Sequence, residues 1–388
     1  MSMLDLAGLD MDALSEALEP LGGRPYNARQ LYRWLYARRV SDFASMTDLS
    51  LALRERLGRE AKVAFPSVIE RVTAGDETVR YVYALADGQR TESVWIPGPP
   101  DRRPPDGPAR SARRVGDPSP RRESSAASGS LAERVTLCLS SQVGCALACR
   151  FCLSGVHGLK RHLSAGEIVG QAWTMLREAA TLERVNVVFM GIGEPLDNYQ
   201  SVMRAARLLS DPQGFAIPMR RITVSTAGHV PYIEKLALEP ARPRLAVSLN
   251  ATTNELRSQI MPINKAYPLE RLLGTLRDFP LGRDERITFE YVLLGGLNDS
   301  DEDAGRLRGL LHGIPIKINL IPWNPSPGLP FETPSWERVE RFKLLLEPMR
   351  APVTVRRRRG GDASAACGQL SFKPRALGGV VASARAGS

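Results

Sequence analysis

Apolar residues recur at helical spacing through Met11-Asp12-Ala13-Leu14-Ser15-Glu16-Ala17-Leu18 and again from Ala28 to Tyr36, with Pro20 and Gly22-Gly23 between the two runs. That period predicts a small helical module at the start of the chain. From Lys62 to Pro97 the period falls to two, and Asp87-Gly88 between the alternating runs 78–85 and 91–96 predicts a β hairpin. The stretch 98–130 is rich in Pro, Arg, Ser, Gly and Asp and almost without bulky apolar residues. It cannot bury enough surface to offset its ordering entropy, and a disordered insertion is expected there.

Beyond Arg134 short apolar runs alternate with helical patterns. Strands are predicted at 135–139, 185–190, 222–225, 245–249, 287–293 and 316–321, with helices around 165–182, 200–209, 231–238, 253–260, 269–277, 302–312 and 336–347. Serial strand-then-helix units with continuously apolar strands imply a parallel sheet covered by helices. The fold expected is α/β, a partial (β/α)6 barrel preceded by the helical domain and the hairpin extension; a doubly wound open sheet is the alternative. The divisions are a helical accessory domain over 1–60, a β extension over 61–97, the insertion over 98–130, the barrel over 131–375 and a flexible tail over 376–388. In a barrel the chemistry gathers at the C-terminal ends of the strands.

Composition changes this picture little. An apolar fraction of 43% and a charged fraction of 24% are ordinary for a soluble globular protein. The first residues carry Asp5, Asp10, Asp12 and Glu16 instead of a basic and apolar leader, and no run is long and apolar enough to cross a membrane. A cytoplasmic location without membrane contact is expected. The net charge of +10 fits either an unspecialised basic protein or one with a polyanionic partner. The unbroken run Arg356 to Arg359 is compatible with a solvated face as well as with phosphate contacts.

The cysteines are more informative. There are five, Cys138, Cys145, Cys149, Cys152 and Cys367, an odd count that argues against a disulfide framework and for metal or catalytic thiols. Three of them form Cys-x3-Cys-x2-Cys directly after the first predicted barrel strand. Three thiolates can hold three irons of a 4Fe-4S cube and leave the fourth open to a chelating ligand, and the amino and carboxylate groups of S-adenosylmethionine (SAM) can occupy it. A structural zinc site or buried free thiols are the competing readings. Zinc usually takes four protein ligands in paired clusters; no second Cys-x2-Cys exists, and His157 and His162 do not complete a common pattern.

The second predicted strand ends in Met190-Gly191-Ile192-Gly193-Glu194-Pro195. Glycines there let backbone approach a ligand, and Glu194 or a carbonyl can accept hydrogen bonds from the SAM ammonium. Polar residues recur at later strand ends, in Ser225-Thr226, Ser248-Leu249-Asn250 and Trp323-Asn324. Each alone reads as a cap or turn residue, whereas together they line one rim of the barrel.

These stretches, with Pro25 to Gln30, Thr91 to Val94, Leu137 to Cys152, Ile321 to Pro325 and Ala365 to Leu370, resemble the RlmN-type radical SAM adenine-C2 methyltransferases of 23S ribosomal RNA, relatives of the Cfr-type C8 enzymes. The resemblance spans most of the chain apart from the insertion and the tail. It implies that Cys145, Cys149 and Cys152 bind the 4Fe-4S cluster and that Gly193, Glu194, Ser225, Ser248, Leu249, Asn250 and Asn324 contact SAM. It further implies a methyl-carrying Cys367, a resolving Cys138 and an acid/base Glu92.

In the family scheme one SAM methylates Cys367 and a second yields a radical that takes a hydrogen from the S-methyl group. The carbon radical adds to adenine, Glu92 accepts a proton, and attack of Cys138 on the sulfur of Cys367 frees the product and leaves a disulfide for an external thiol to reduce. The partners implied are 23S ribosomal RNA, transfer RNA, an electron donor and a thiol reductant, acting on a monomer. Val143 before Gly144 and the wording Cys-Ala-Leu-Ala-Cys look more like the C2 branch than the C8 branch. A non-catalytic iron–sulfur RNA-binding protein is the reading from a different class, and Cys138 and Cys367 speak against it. Gly361 and Ser364 stand where the family usually has acidic residues.

Replacing residues 100–130 by a short Gly/Ser linker is expected to leave the melting temperature within ~5 °C of the parent, since the segment has no apolar anchors. A larger drop in a thermal melt would show that the segment packs.

Overall fold

The computed structural model describes residues 3–98, 134–178, 184–326, 328–356, 360 and 368–370. The insertion at 98–130 beyond Gly98, the tail at 376–388 and Cys367 lie outside the described residues.

Ten strands form one sheet whose order follows the chain. They are β1 (Ser67–Thr73), β2 (Val79–Ala84), β3 (Arg90–Pro97), β4 (Arg134–Cys138), β5 (Arg184–Phe189), β6 (Ile222–Thr226), β7 (Arg244–Ser248), β8 (Ile287–Leu293), β9 (Ile316–Pro322) and β10 (Val353–Val355). From β4 to β10 neighbours are parallel, and from β1 to β4 they are antiparallel. Sequential order decides between the two expected architectures. A doubly wound sheet reverses its strand order at a switch point. Here every crossover steps in the same direction, and right-handed connections then carry all helices to one face. The other face becomes the concave interior of a partial barrel.

The covering helices are α4 (Ala165–Glu178), α5 (Tyr199–Ser210), α6 (Val230–Ala237), α7 (Asn254–Ile260), α8 (Leu269–Arg277), α9 (Asp301–Leu310) and α10 (Trp336–Leu346), the first three helices belonging to the N-terminal module. Their bounds fall within about two residues of the expected ones wherever both are described. On α5 the apolar stripe Val202, Met203, Ala205, Ala206, Leu208 and Leu209 is buried, as a helix packed by one face requires. The strands beneath are apolar on both faces, as in the run Leu245-Ala246-Val247 of β7.

The hairpin β2–β3 turns at Asp87-Gly88 as expected. Strand β3 pairs with β4, Val94 opposite Cys138, so the alternating segment continues the barrel sheet. The polar strand β1, with Glu70 and Arg71 exposed, closes that end and blunts the sheet edge.

The N-terminal module packs α1 (Met11–Leu18), α2 (Pro25–Tyr32) and α3 (Leu51–Glu60) into the core shared with the barrel. Asp10 and Ser50 cap α1 and α3 by accepting hydrogen bonds from Ala13 N and Leu53 N. Leu4–Asp5 pairs with Ala61–Lys62 and ties the two ends of the module together. Trp173 of α4 donates from Nε1 to Leu35 O at 2.8 Å, and the Tyr32 hydroxyl meets Asp211 at 2.9 Å. At the contact with α4 the backbones nearly touch: a Cβ on Gly166 would lie 2.7 Å from Ala7 O.

That contact yields a pair of substitutions with opposite signs. Gly166→Ala must push the module off α4 and is expected to destabilise by about 1–3 kcal/mol. Gly58→Ala in α3, where a Cβ meets nothing within 4 Å, is expected to stabilise by about 0.5–1 kcal/mol through helix propensity. Thermal melts of the two variants should move in opposite directions.

Candidate active site

The loops at the C-terminal ends of the parallel strands line an open cleft. Its floor and walls include Cys145, Cys149, Cys152, Gly193, Glu194, Ser225, Ser248, Asn250 and Asn324. All three cluster cysteines therefore face the same space as six of the seven residues expected to contact SAM. The seventh, Leu249, does not: its side chain is fully buried in the main core, and its polar contacts run through the backbone, its N donating to Glu290 O and its O accepting from Arg257 Nε. Strand alternation explains this, because Ser248 and Leu249 point to opposite faces.

The cysteine loop is shaped by backbone constraint. Gly144 has φ +80°, and a Cβ there would sit 1.8 Å from Gly158 O, so only glycine fits. The segment leading into the loop is pinned by buried side chains. Gln171 of α4 accepts from Ser140 N at 2.9 Å and donates to Ser140 O at 3.0 Å. Gln142 Oε1 accepts from Glu194 N at 2.8 Å, and Asn198 donates to the carbonyls of Ser141 and Leu163. The Ser140 hydroxyl links Glu92 O to Ile192 N. These connections join the cysteine loop, the glycine-containing loop and α4 into one unit.

The donor set fits an iron–sulfur cluster. Burial pushes the Cys145 thiol up to about 12, and burial together with the neighbouring Cys152 and Cys145 raises Cys149 well above the ordinary thiol range. Such thiols stay protonated alone and lose the proton on binding metal. Among the described residues no three His, Cys, Asp or Glu side chains converge on one point as a mononuclear site requires. Three thiols spaced around a common cleft instead suit three separate irons of a cube.

Glu194 is 3% exposed and accepts from Ala227 N at 2.8 Å and Leu196 N at 3.1 Å. Burial raises its carboxyl to about 7 despite these donors. Asn250 holds φ +59°, and its Oδ1 accepts from Val292 N at 2.8 Å.

Among the further residues lining the cleft are two charged ones that were not expected there, Glu290 and Arg356. Glu290 of β8 is buried, accepts from Asn319 Nδ2 at 2.8 Å and faces Arg356 Nη1 at 3.8 Å. A signal for it existed, since Glu290 interrupts the apolar strand 287–293. Arg356 opens the basic run and enters the site instead of solvent.

Glu92 and Cys138 lie beside the cleft and do not line it. Val94 sits opposite Cys138 across β3 and β4, and Glu92 is two residues from Val94, so all three share one sheet face. Cys138 packs with Val94, Ile192 and Leu370, and Met190 bridges this group to the cleft. Arg80 of β2, also missed in the sequence, donates to Glu92 Oε1 and to Glu70 Oε1, each at 3.0 Å. Cys145, Cys149 and Cys152 are free thiols. The segment after Cys367 is anchored on the cysteine loop: Leu153 N donates to Gly368 O at 3.0 Å, the Ser154 hydroxyl to Leu370 O at 3.2 Å, and Gly368 lines the cleft.

Known proteins agree with this arrangement. A family model for the ribosomal RNA large subunit methyltransferase N-terminal domain matches residues 4–63, and the radical SAM superfamily model matches 139–307. The chain is 44% identical over 358 residues to a dual-specificity RNA methyltransferase RlmN of Syntrophobacter fumaroxidans, covering 92% of this chain and 95% of that one. It is likewise 44% identical over 376 residues to the Geobacter sulfurreducens protein of the same name, at 97% and 94% coverage. The crystal structure of a radical SAM methyltransferase from Sphaerobacter thermophilus superposes with a TM-score of 0.83 at 39% identity, covering 95% of this chain and all of that one. These matches run along nearly the whole length of both partners, and the chain belongs to the RlmN family of radical SAM methyltransferases.

Proposed function

We propose that the protein methylates C2 of an adenine in 23S ribosomal RNA and of an adenine in transfer RNA, with Cys367 as the methyl carrier. The observation that carries this reading is the placement of a thiol beyond the three cluster ligands. Cys138 lies on the same sheet face as Glu92 and in the same apolar group as Leu370, three residues after Cys367. A cysteine-borne intermediate gives such a thiol a role that the cluster ligands do not fill.

The bound cluster and SAM supply the methyl group and its one-electron activation. The residues of the chain supply the rest. Cys145, Cys149 and Cys152 hold the cluster, while Gly193, Glu194, Ser225, Ser248, Asn250 and Asn324 orient SAM. The core position of the Leu249 side chain leaves that residue a part through its backbone. Arg80 fixes the carboxylate of Glu92, which accepts the proton leaving C2. The adduct radical gives up one electron to an external acceptor as this proton leaves; the Cys138 thiolate then attacks the sulfur of Cys367, the carbon–sulfur bond to product breaks, the released carbon takes up a proton to become the methyl group, and the resulting disulfide is reduced by an external thiol. The net charge of +10 and the basic run from Arg356 favour an RNA partner. No helix among the described residues is long and apolar enough to cross a membrane; the proposal further takes the protein as a cytoplasmic monomer served by an external electron donor.

Three outcomes test this. Anaerobically reconstituted protein should bind about four irons, and Ala at Cys145, Cys149 and Cys152 should remove both iron and SAM cleavage; stoichiometric zinc without iron would overturn the cluster assignment. Cys367→Ala should abolish methyl transfer with the cluster intact, whereas Cys138→Ala should accumulate protein covalently bound to RNA on a denaturing gel. Near-normal turnover by both would reduce the two cysteines to packing residues. Glu92→Gln should slow methylation by about 10²–10⁴-fold at unchanged SAM cleavage, with mass spectrometry of the modified adenine distinguishing C2 from C8.

A further inference from the structure

Arg257 of α7 is the largest fully buried side chain among the described residues, at 0% exposure. Its Nε donates to Leu249 O at 3.0 Å and its Nη1 to Asn264 Oδ1 at 3.0 Å. Nη2 donates to Ala227 O at 2.6 Å and to Ser248 O at 3.2 Å. Ala227 and Ser248 are walls of the cleft, so the guanidinium braces the loops that follow β6 and β7 from behind.

A brace needs only donors. Elsewhere on the same rim neutral amides do this work: Gln171 on Ser140, Asn198 on Ser141 and Asn298 on Asn250. Here the chain buries a full positive charge, and among the described residues no carboxylate forms an ion pair with it. An interior cation without an answering anion is costly. The thiols assigned to the cluster line the other side of that wall. Arg150 N donates to Ile260 O at 3.0 Å and ties the cysteine loop to the end of α7, and Cys149 packs with Leu256 and Ile260 of α7 and with Ala227, whose carbonyl Arg257 holds. Burial lowers the guanidinium to about 10, so it stays protonated at neutral pH.

We propose that Arg257 is a positioning residue whose fixed charge, held behind Cys149, stabilises the reduced form of the cluster on Cys145, Cys149 and Cys152. The potential of an iron–sulfur cluster depends on the net charge around it, and reduction adds negative charge to an already anionic set of thiolates. A buried cation therefore favours the reduced state, from which SAM is cleaved. This rests on the cluster assignment above.

The test is a redox titration of the reconstituted full-length protein, followed by electron paramagnetic resonance, alongside iron content and a thermal melt. Arg257→Gln removes the charge and keeps part of the hydrogen bonding. It is expected to lower the ratio of reduced to oxidised cluster at fixed potential by about tenfold, or about 59 mV for one electron. Arg257→Lys keeps the charge, and its potential should stay near that of the parent while its melting temperature falls, because an ammonium cannot span the four partners. Should Arg257→Gln not fold, Asn264→Asp sets a carboxylate against Nη1 and leaves Arg257 in place; the same downward shift is expected. An iron-replete Arg257→Gln or Asn264→Asp protein with the parent's potential overturns the inference, as does an equal drop in Arg257→Lys. Parent protein that binds no iron overturns the cluster assignment instead and takes this inference with it.

Discussion

A parallel sheet runs out of backbone partners at its C-terminal rim, and this protein must satisfy those groups without filling the space above them. Side chains reaching in from the helical layer and from the loops solve the problem. Gln171 pairs both backbone groups of Ser140, Asn198 holds Ser141 and Leu163, Asn298 holds Asn250 and Val292, and Arg257 gathers Ala227, Ser248 and Leu249. Each bond satisfies a buried polar group that would otherwise carry its full desolvation cost. The cleft stays open because its loops are held from outside. Residues facing inward, such as Ser225 and Ser248, are then left for a ligand.

The same arrangement sets the electrostatics. Walls that exclude water raise the Cys145 and Cys149 thiols and Glu194, so these groups favour neutral forms until a metal or a cationic ligand enters. Positive charge enters from two directions, Arg257 from behind the wall and Arg356 from the loop after β10. Arg80 fixes Glu92 on the antiparallel side of the sheet. The acidic and thiol groups proposed for proton transfer and product release thereby sit apart from the thiols proposed for the cluster, yet on strands that hydrogen-bond directly to one another.

Continuity of the sheet also links the accessory parts to the chemistry. Because β3 pairs with β4, the strand bearing Glu92 is as rigid as the barrel strand that precedes the cysteine loop. The N-terminal module is seated through Gly8 and Gly166 with backbones in contact, which fixes its orientation relative to α4 and hence to Gln171 and Ser140. A large polyanion gripped by the module would therefore meet a cleft of fixed position.

Local pattern determined the elements, and local spacing marked the cysteine loop. Six strand–helix units, the Asp87-Gly88 turn and the Cys-x3-Cys-x2-Cys loop are all consequences of residues close in sequence, where periodicity and ligand spacing act directly. The polar strand ends were legible for the same reason, since each follows an apolar run. What escaped the pattern depended on contacts between distant segments. That β3 joins β4 across the insertion, that Glu92 and Cys138 share a face, and that Leu249 turns into the core while Ser248 turns out were decided by pairing and register. Arg257 is the clearest case. In the polar helix Asn-Glu-Leu-Arg-Ser-Gln-Ile it reads as a solvated side chain, and only the packing of α7 against the rim makes it the buried cation behind the cleft.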